Sequence, residues 1–181
     1  MGKTNIVLTG FMYAGKTTVG GLLAAMTGKR LIDTDTLVER DAGKSVSEIF
    51  AEDGEGRFRK LEREAVARAA AAPDQVIALG GGAVIDPGNV DRLKANGVLY
   101  YLKIDSDEVA RRSANSPGRP LLEGKDAAQT RRLLESREEY YLRAADVIVE
   151  AAGREPADLA EEIDRDFNRR KTDGQGEVCG G

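Results

Sequence analysis

The chain has 181 residues, 27 Lys+Arg against 31 Asp+Glu for a formal net charge of −4, and neither His nor Trp. Without His there is no Ser-His-Asp or Cys-His nucleophile pair and no imidazole metal ligand. A single cysteine, Cys179, excludes a disulfide framework and a thiolate zinc site. Acid–base work is left to carboxylates, Lys, Tyr or water, and the acidic balance argues against a nucleic-acid partner.

In chain order, the first element is a strand over Asn5–Thr9. Its apolar run, Ile6-Val7-Leu8, is far too short for a membrane span or a secretory core, so a soluble, cytoplasmic protein with no membrane partner is expected. A loop, Gly10 to Thr17, leads into a helix over Thr18–Met26, and a second strand covers Arg30–Asp33. Phe58, Leu61, Ala65, Val66 and Ala69 recur at helical spacing and predict a helix over Gly56–Ala72. A third strand, Gln75–Leu79, runs into Gly80-Gly81-Gly82, and a fourth covers Val98–Lys103.

The segment Ser113–Lys125, with Asn115-Ser116-Pro117-Gly118-Arg119-Pro120, is too rich in Pro and Gly for either element and reads as a mobile lid. A helix over Thr130–Ala144, a strand over Asp146–Glu150 and a helix from Pro156 to about Phe167 complete the pattern. From Arg169 the chain turns polar and Gly-rich and is expected to be a flexible tail over 169–181. Short β-branched runs alternating with helices predict an α/β fold with a mainly parallel sheet in one domain over 1–168. The near-continuous apolarity of the strands suits coverage on both faces.

The strongest chemical signal is Gly10-Phe11-Met12-Tyr13-Ala14-Gly15-Lys16-Thr17, which satisfies G-x-x-x-x-G-K-[ST] after a strand and before a helix. Glycines let the backbone wrap phosphates, and the amides and helix N-terminus supply positive potential. The Lys reaches the β/γ-phosphates and the hydroxyl ligates Mg²⁺. ATP or GTP is the expected ligand. The second strand ends in Asp33-Thr34-Asp35, at the sheet edge where open α/β folds bind ligands. One Asp could hold Mg²⁺ through water and the other orient a hydroxyl, or one could cap the next helix; both cannot readily cap it. The three glycines at the same edge admit a close backbone approach or make a loose turn. Arg59, Arg112, Arg119, Arg137 and Arg154 are each ordinary surface charges alone, but beside a phosphate loop they offer forks for phosphate and carboxylate.

The ordered set Gly10…Lys16-Thr17, Ile32-Asp33-Thr34-Asp35, Phe58-Arg59-Lys60-Leu61-Glu62, Leu79-Gly80-Gly81-Gly82-Ala83, Arg119-Pro120-Leu121-Leu122 and Arg137…Tyr141 resembles the shikimate kinases over about residues 4 to 160. The resemblance implies a three-layer α/β/α P-loop kinase with a five-stranded parallel sheet, order 2-3-1-4-5, and a mobile lid. It also implies ATP-dependent phosphorylation of the 3-hydroxyl of shikimate, in the route to chorismate and the aromatic amino acids, with Mg²⁺ as cofactor.

Carried across, Tyr13, Ala14, Gly15, Lys16, Thr17 and Thr18 would surround the ATP phosphates, and Thr17 would ligate the metal with Asp33 assisting through water. Asp35 would contact the shikimate hydroxyls and serve as base. Arg59 and Arg137 would grip the carboxylate with the Gly81 backbone beside the ring. Arg119 would close over ATP, and Arg112 and Arg154 would flank the adenine with Pro156 beside them. The other reading within this fold is a gluconate or nucleotide kinase. A GTPase-type switch would want Asn-Lys-x-Asp, which the sequence lacks, and a silent binding module is at odds with intact Lys16, Thr17 and Asp35. Nothing predicts a dimer, so a monomer is expected. One departure stands out: the family usually carries Gly where Tyr13 stands. The expectation is that the loop keeps negative φ there, with the ring outward or beside the cleft.

Overall fold

A computed structural model of the chain describes residues 2–113 and 127–176. Residues 114–125 of the expected lid, Arg119 among them, and Cys179 lie outside the described residues.

Five strands, β1 (Asn5–Thr9), β2 (Arg30–Asp33), β3 (Gln75–Ala78), β4 (Gly97–Lys103) and β5 (Val147–Glu150), form one parallel sheet in the order β2-β3-β1-β4-β5. The helices are α1 (Lys16–Thr27), α2 (Thr34–Ala42), α3 (Val46–Glu48), α4 (Gly54–Ala71), α5 (Pro87–Asn96), α6 (Ser106–Ser113), α7 (Ala127–Ala144) and α8 (Pro156–Gly176). They flank the sheet in a three-layer α/β/α arrangement, as expected. Among the described residues no helix is long and apolar enough to cross a membrane.

The central strands are buried on both faces, with Ile6, Val7, Leu8, Val76, Ile77 and Leu99 sealed from solvent. Such strands need no alternation, which is why they read as continuous apolar runs. The edge strands depart from the expected coverage. β2 is partly open, and β5 leaves Ile148 48% exposed, because each has a neighbour on one side only. α1 presses on the sheet closely enough that a Cβ at Gly20 would stand 2.9 Å from Leu31 Cδ1.

The second difference is at the C-terminus. α8 does not end near Phe167 but continues to Gly176. Asp166 pairs with Arg169 at 2.6 Å and with Arg170 at 2.6 Å, and Lys171 lies 5.1 Å from the centre of the buried Phe167 ring. These i,i+3 and i,i+4 contacts prolong a polar segment as helix.

β1 lies between β3 and β4, so the chain leaves it to one side for β2 and β3 and to the other for β4 and β5. That makes its C-terminal end the point where connections diverge and open a crevice. The loop Gly10–Gly15 begins there. At the other end of the sheet, Gly97 opens β4 in extended conformation, φ −130. A Cβ there would meet Leu93 O at 2.7 Å and Val7 Cγ2 at 2.8 Å. Gly97→Ala is therefore expected to destabilise the fold by about 1–3 kcal/mol through overpacking. An unshifted urea midpoint would show that α5 can yield.

Candidate active site

The phosphate loop takes its shape from two glycines. Gly10 has φ 142, and a Cβ there would lie 2.6 Å from Leu102 O; Gly15 has φ 89 as it opens α1. No described side chain caps α1, so its first amides keep their hydrogen-bonding capacity for an anion. Lys16 Nζ donates to Gly10 O at 2.8 Å and Phe11 O at 3.0 Å, which places the ammonium inside the loop.

Tyr13 overturns the expectation of negative φ: it sits at φ 65, and its ring is half-buried against the core. The left-handed region costs a non-glycine residue about 1–2 kcal/mol. Two contacts offset that cost here. The ring is packed, and the Tyr13 carbonyl accepts a charged hydrogen bond from Arg112 Nη1 at 2.9 Å.

Asp33 resolves the question of which Asp caps. Its Oδ1 accepts from the backbone amides of Asp35 (3.0 Å) and Thr36 (3.3 Å), starting α2, while Oδ2 accepts from Thr17 Oγ1 at 2.8 Å. One carboxylate thus caps a helix and touches the phosphate-loop hydroxyl. Asp35, two residues on in the first turn of α2, stands against Gly80.

The three glycines stand against charged side chains, Gly80 against both Asp35 and Glu62. A Cβ on Gly80 would fall 2.3 Å from Asp35 Oδ1, one on Gly81 would fall 3.7 Å from Arg137 Nη1, and one on Gly82 would fall 2.6 Å from Arg59 Nη1. The stretch is itself fixed: Gly80 N donates to the buried Thr34 Oγ1 at 2.8 Å, and Gly81 O accepts from Tyr141 Oη at 2.5 Å. Burial pushes the Tyr141 phenol up to about 12, so it remains a donor, and the ring stacks on Tyr101 at 5.1 Å.

Glu62 is the residue here to which the sequence assigns no task. It is 2% exposed and accepts from Arg59 Nη1 at 2.7 Å. Burial raises its carboxyl above the ordinary range; Arg59 opposes the rise and Asp35 adds to it. Among the described residues, its Oε1 and Arg137 Nη1 are buried without a hydrogen-bond partner, and both border the glycines. Arg137 is 8% exposed. Buried polar atoms are nearly always paired, so an unpaired guanidinium nitrogen in a cleft suits an anionic ligand.

The fold therefore brings Lys16, Thr17, Asp33, Asp35, Arg59, Gly81 and Arg137 to the same edge of the sheet, and Arg112 to the phosphate loop. Arg154 engages Glu150 O at 3.3 Å and Glu162 Oε2 at 2.7 Å, and none of these contacts reaches the loop. A cavity of about 380 Å³ between Lys29, Asp74 and Phe167 lies at the opposite edge of the sheet and includes none of the site residues.

Comparison with known proteins bears on the family and the fold. The family model described as Shikimate kinase matches residues 12–167. The shikimate kinase of Caldanaerobacter subterraneus subsp. tengcongensis is 45% identical over 92% of this chain and 98% of its own length. That of Moorella thermoacetica is 46% identical over 88% and 91%. Among solved structures, the shikimate kinase from Acinetobacter baumannii in complex with shikimate superposes with a TM-score of 0.87 at 34% identity, covering 93% of this chain and 95% of that one. With the motifs, the strand order and the matched length in agreement, the chain belongs to the shikimate kinase family.

Proposed function

We propose that the chain transfers the γ-phosphoryl group of ATP to the 3-hydroxyl of shikimate, giving shikimate 3-phosphate and ADP, and works as a cytoplasmic monomer. The observation that carries this reading is the pair of guanidiniums, Arg59 and Arg137, at consecutive glycines beside Asp35 and one loop away from Lys16. Two forks suit a carboxylate, the Asp35 carboxylate suits a ring hydroxyl, and the phosphate loop suits a nucleotide.

Asp35 orients the hydroxyl and accepts its proton. A phosphoryl transition state is loose, so placing the nucleophile and stabilising charge do most of the work. Lys16 supplies positive charge at the phosphates. Thr17 Oγ1 and Asp33 Oδ2, 2.8 Å apart, are hard oxygen donors. Such a pair fits Mg²⁺, which favours one or two protein oxygens with phosphate and water completing its shell. Thr17 would hold it directly and Asp33 through water, and the ion would neutralise charge on the β/γ-phosphates. Closure of Arg119 over ATP and placement of Arg154 near the adenine rest on their sequence motifs.

The direct test is ADP release from purified chain with ATP, Mg²⁺ and a panel of hydroxy acids. Turnover of gluconate or a nucleoside monophosphate, with none of shikimate, would overturn the reading. Lys16→Ala is expected to abolish transfer. Arg137→Ala is expected to raise the KM for shikimate by roughly 10- to 100-fold, the loss of a charged hydrogen bond, with the KM for ATP little changed. A rise in the ATP value alone would reverse the two subsites.

Gly80→Ala places a methyl group where Asp35 Oδ1 now lies. The expected result is a fall in kcat of about tenfold or more with ADP affinity retained, since a small misplacement of a reacting group is costly. Unchanged kcat would show that Asp35 does not act from its present position.

A further inference from the structure

Glu108 lies in the first turn of α6, far in sequence from every motif discussed above, yet it is only 7% exposed. A buried carboxylate is costly unless fully engaged. Its two oxygens accept from Arg111 Nε and Nη2 at 2.8 and 2.7 Å, and from Arg112 Nε at 2.5 Å. Its carboxyl is held down at about 2, first by the hydrogen bonds from Arg111 and then by Arg112, with a backbone bond from Gly153 adding to them.

Arg112 distributes its N–H groups over three separate parts of the chain. Nε goes to Glu108, Nη1 to the Tyr13 carbonyl at 2.9 Å and Nη2 to the Ala151 carbonyl at 3.1 Å. Bonds in three directions within one plane fix the orientation of a guanidinium, which a single contact leaves free to rotate. Nη1 also lies 3.6 Å from where a Cβ on Gly15 would stand, beside the residue that opens α1. The planar group thus ties the phosphate loop to the end of β5. The side chain keeps 22% exposure, so it is not sealed away from a ligand.

We propose that Glu108 is a positioning residue for nucleotide binding: it sets the plane of Arg112, and Arg112 braces the phosphate loop at Tyr13 against Ala151. The inference rests on the nucleotide reading of the loop given above. Tyr13 makes the brace matter in this chain. A residue held at φ 65 against its own preference needs an external partner to keep its carbonyl turned that way. Without Glu108, Arg112 keeps two carbonyl partners but no anion to hold its Nε, and the loop is free to relax before nucleotide arrives.

The test compares the full-length chain with Glu108→Gln, Arg111→Ala and Arg112→Lys, measuring ADP affinity calorimetrically in the presence of Mg²⁺ and both KM values in the kinase assay. Glu108→Gln keeps shape and removes the charge. It is expected to weaken ADP by about tenfold and raise the KM for ATP in parallel, with the KM for shikimate within about twofold. Arg112→Lys keeps the charge but loses the fork, and is expected to do the same; if Glu108→Gln does not fold, this variant decides.

Arg111→Ala removes the other arginine from Glu108 at an exposed position without touching Arg112, and is expected to leave ADP affinity within about twofold. ADP binding by Glu108→Gln equal to that of the unaltered chain would overturn the inference. So would equal weakening by Arg111→Ala, or a matched rise in both KM values, since Glu108 would then only hold α6 together. Absence of ADP binding by the unaltered chain would overturn the nucleotide reading itself, and shows before any variant is compared.

Discussion

Three successive residues without side chains set the layout of the site. At Gly80, Gly81 and Gly82 the backbone passes so close to Asp35, Arg137 and Arg59 that a methyl group at the first or third would overlap a charged atom. The three charges approach from α2, α7 and α4, elements that come together only in the folded sheet. At Gly80 and Gly82 glycine is a matter of space, since neither has a positive φ. The bonds to Thr34 and Tyr141 then hold the ribbon where the charges need it.

Crowding charges into a half-buried cleft has an electrostatic cost, and the site meets it by pairing most of them. Arg59 is held between Glu62 and the more exposed Glu55, Thr17 meets Asp33, and Arg112 meets Glu108. Among the described residues, this pairing leaves over Arg137 Nη1 and Glu62 Oε1 beside the glycines. A buried pair contributes little to net stability, yet losing one partner is expensive. Such pairs therefore fix positions more than they hold the fold together. A formal net charge of −4 is no guide to this: the basic groups that matter are concentrated at one edge of the sheet.

Much of this was legible in the residues because it depends on short-range chemistry. β1, β3 and β4 show as unbroken apolar runs because both faces are covered, and the phosphate-loop pattern is a local requirement for backbone shape. The less legible parts depend on distant partners. Nothing in Asp33 itself says that one carboxylate will cap α2 and also accept from Thr17, sixteen residues earlier. Glu62 and Glu108 look like ordinary members of polar helix faces, with Arg at helical spacing, and only tertiary packing buries them. The conformation of Tyr13 depends on a bond from residue 112. The extension of α8 was encoded locally, in Asp166 with Arg169 and Arg170, but polar residues near a terminus resemble a frayed end. α5 has a start signal, Asp86-Pro87, with Asp86 accepting from Gly88 N, although its apolar pattern is thin.

The bonds of Arg112 also bear on the order of assembly. They join positions 99 and 39 residues away along the chain. Closing such long loops is slow compared with forming a helix or a hairpin. The glycines and α1 can adopt much of the phosphate-loop shape as soon as β1 is made, but its third support arrives only when β4, α6 and β5 have docked. Nucleotide affinity in this chain is thus a late property of folding, and a nascent or clipped chain lacking β5 would carry the phosphate-binding motif without its full set of restraints.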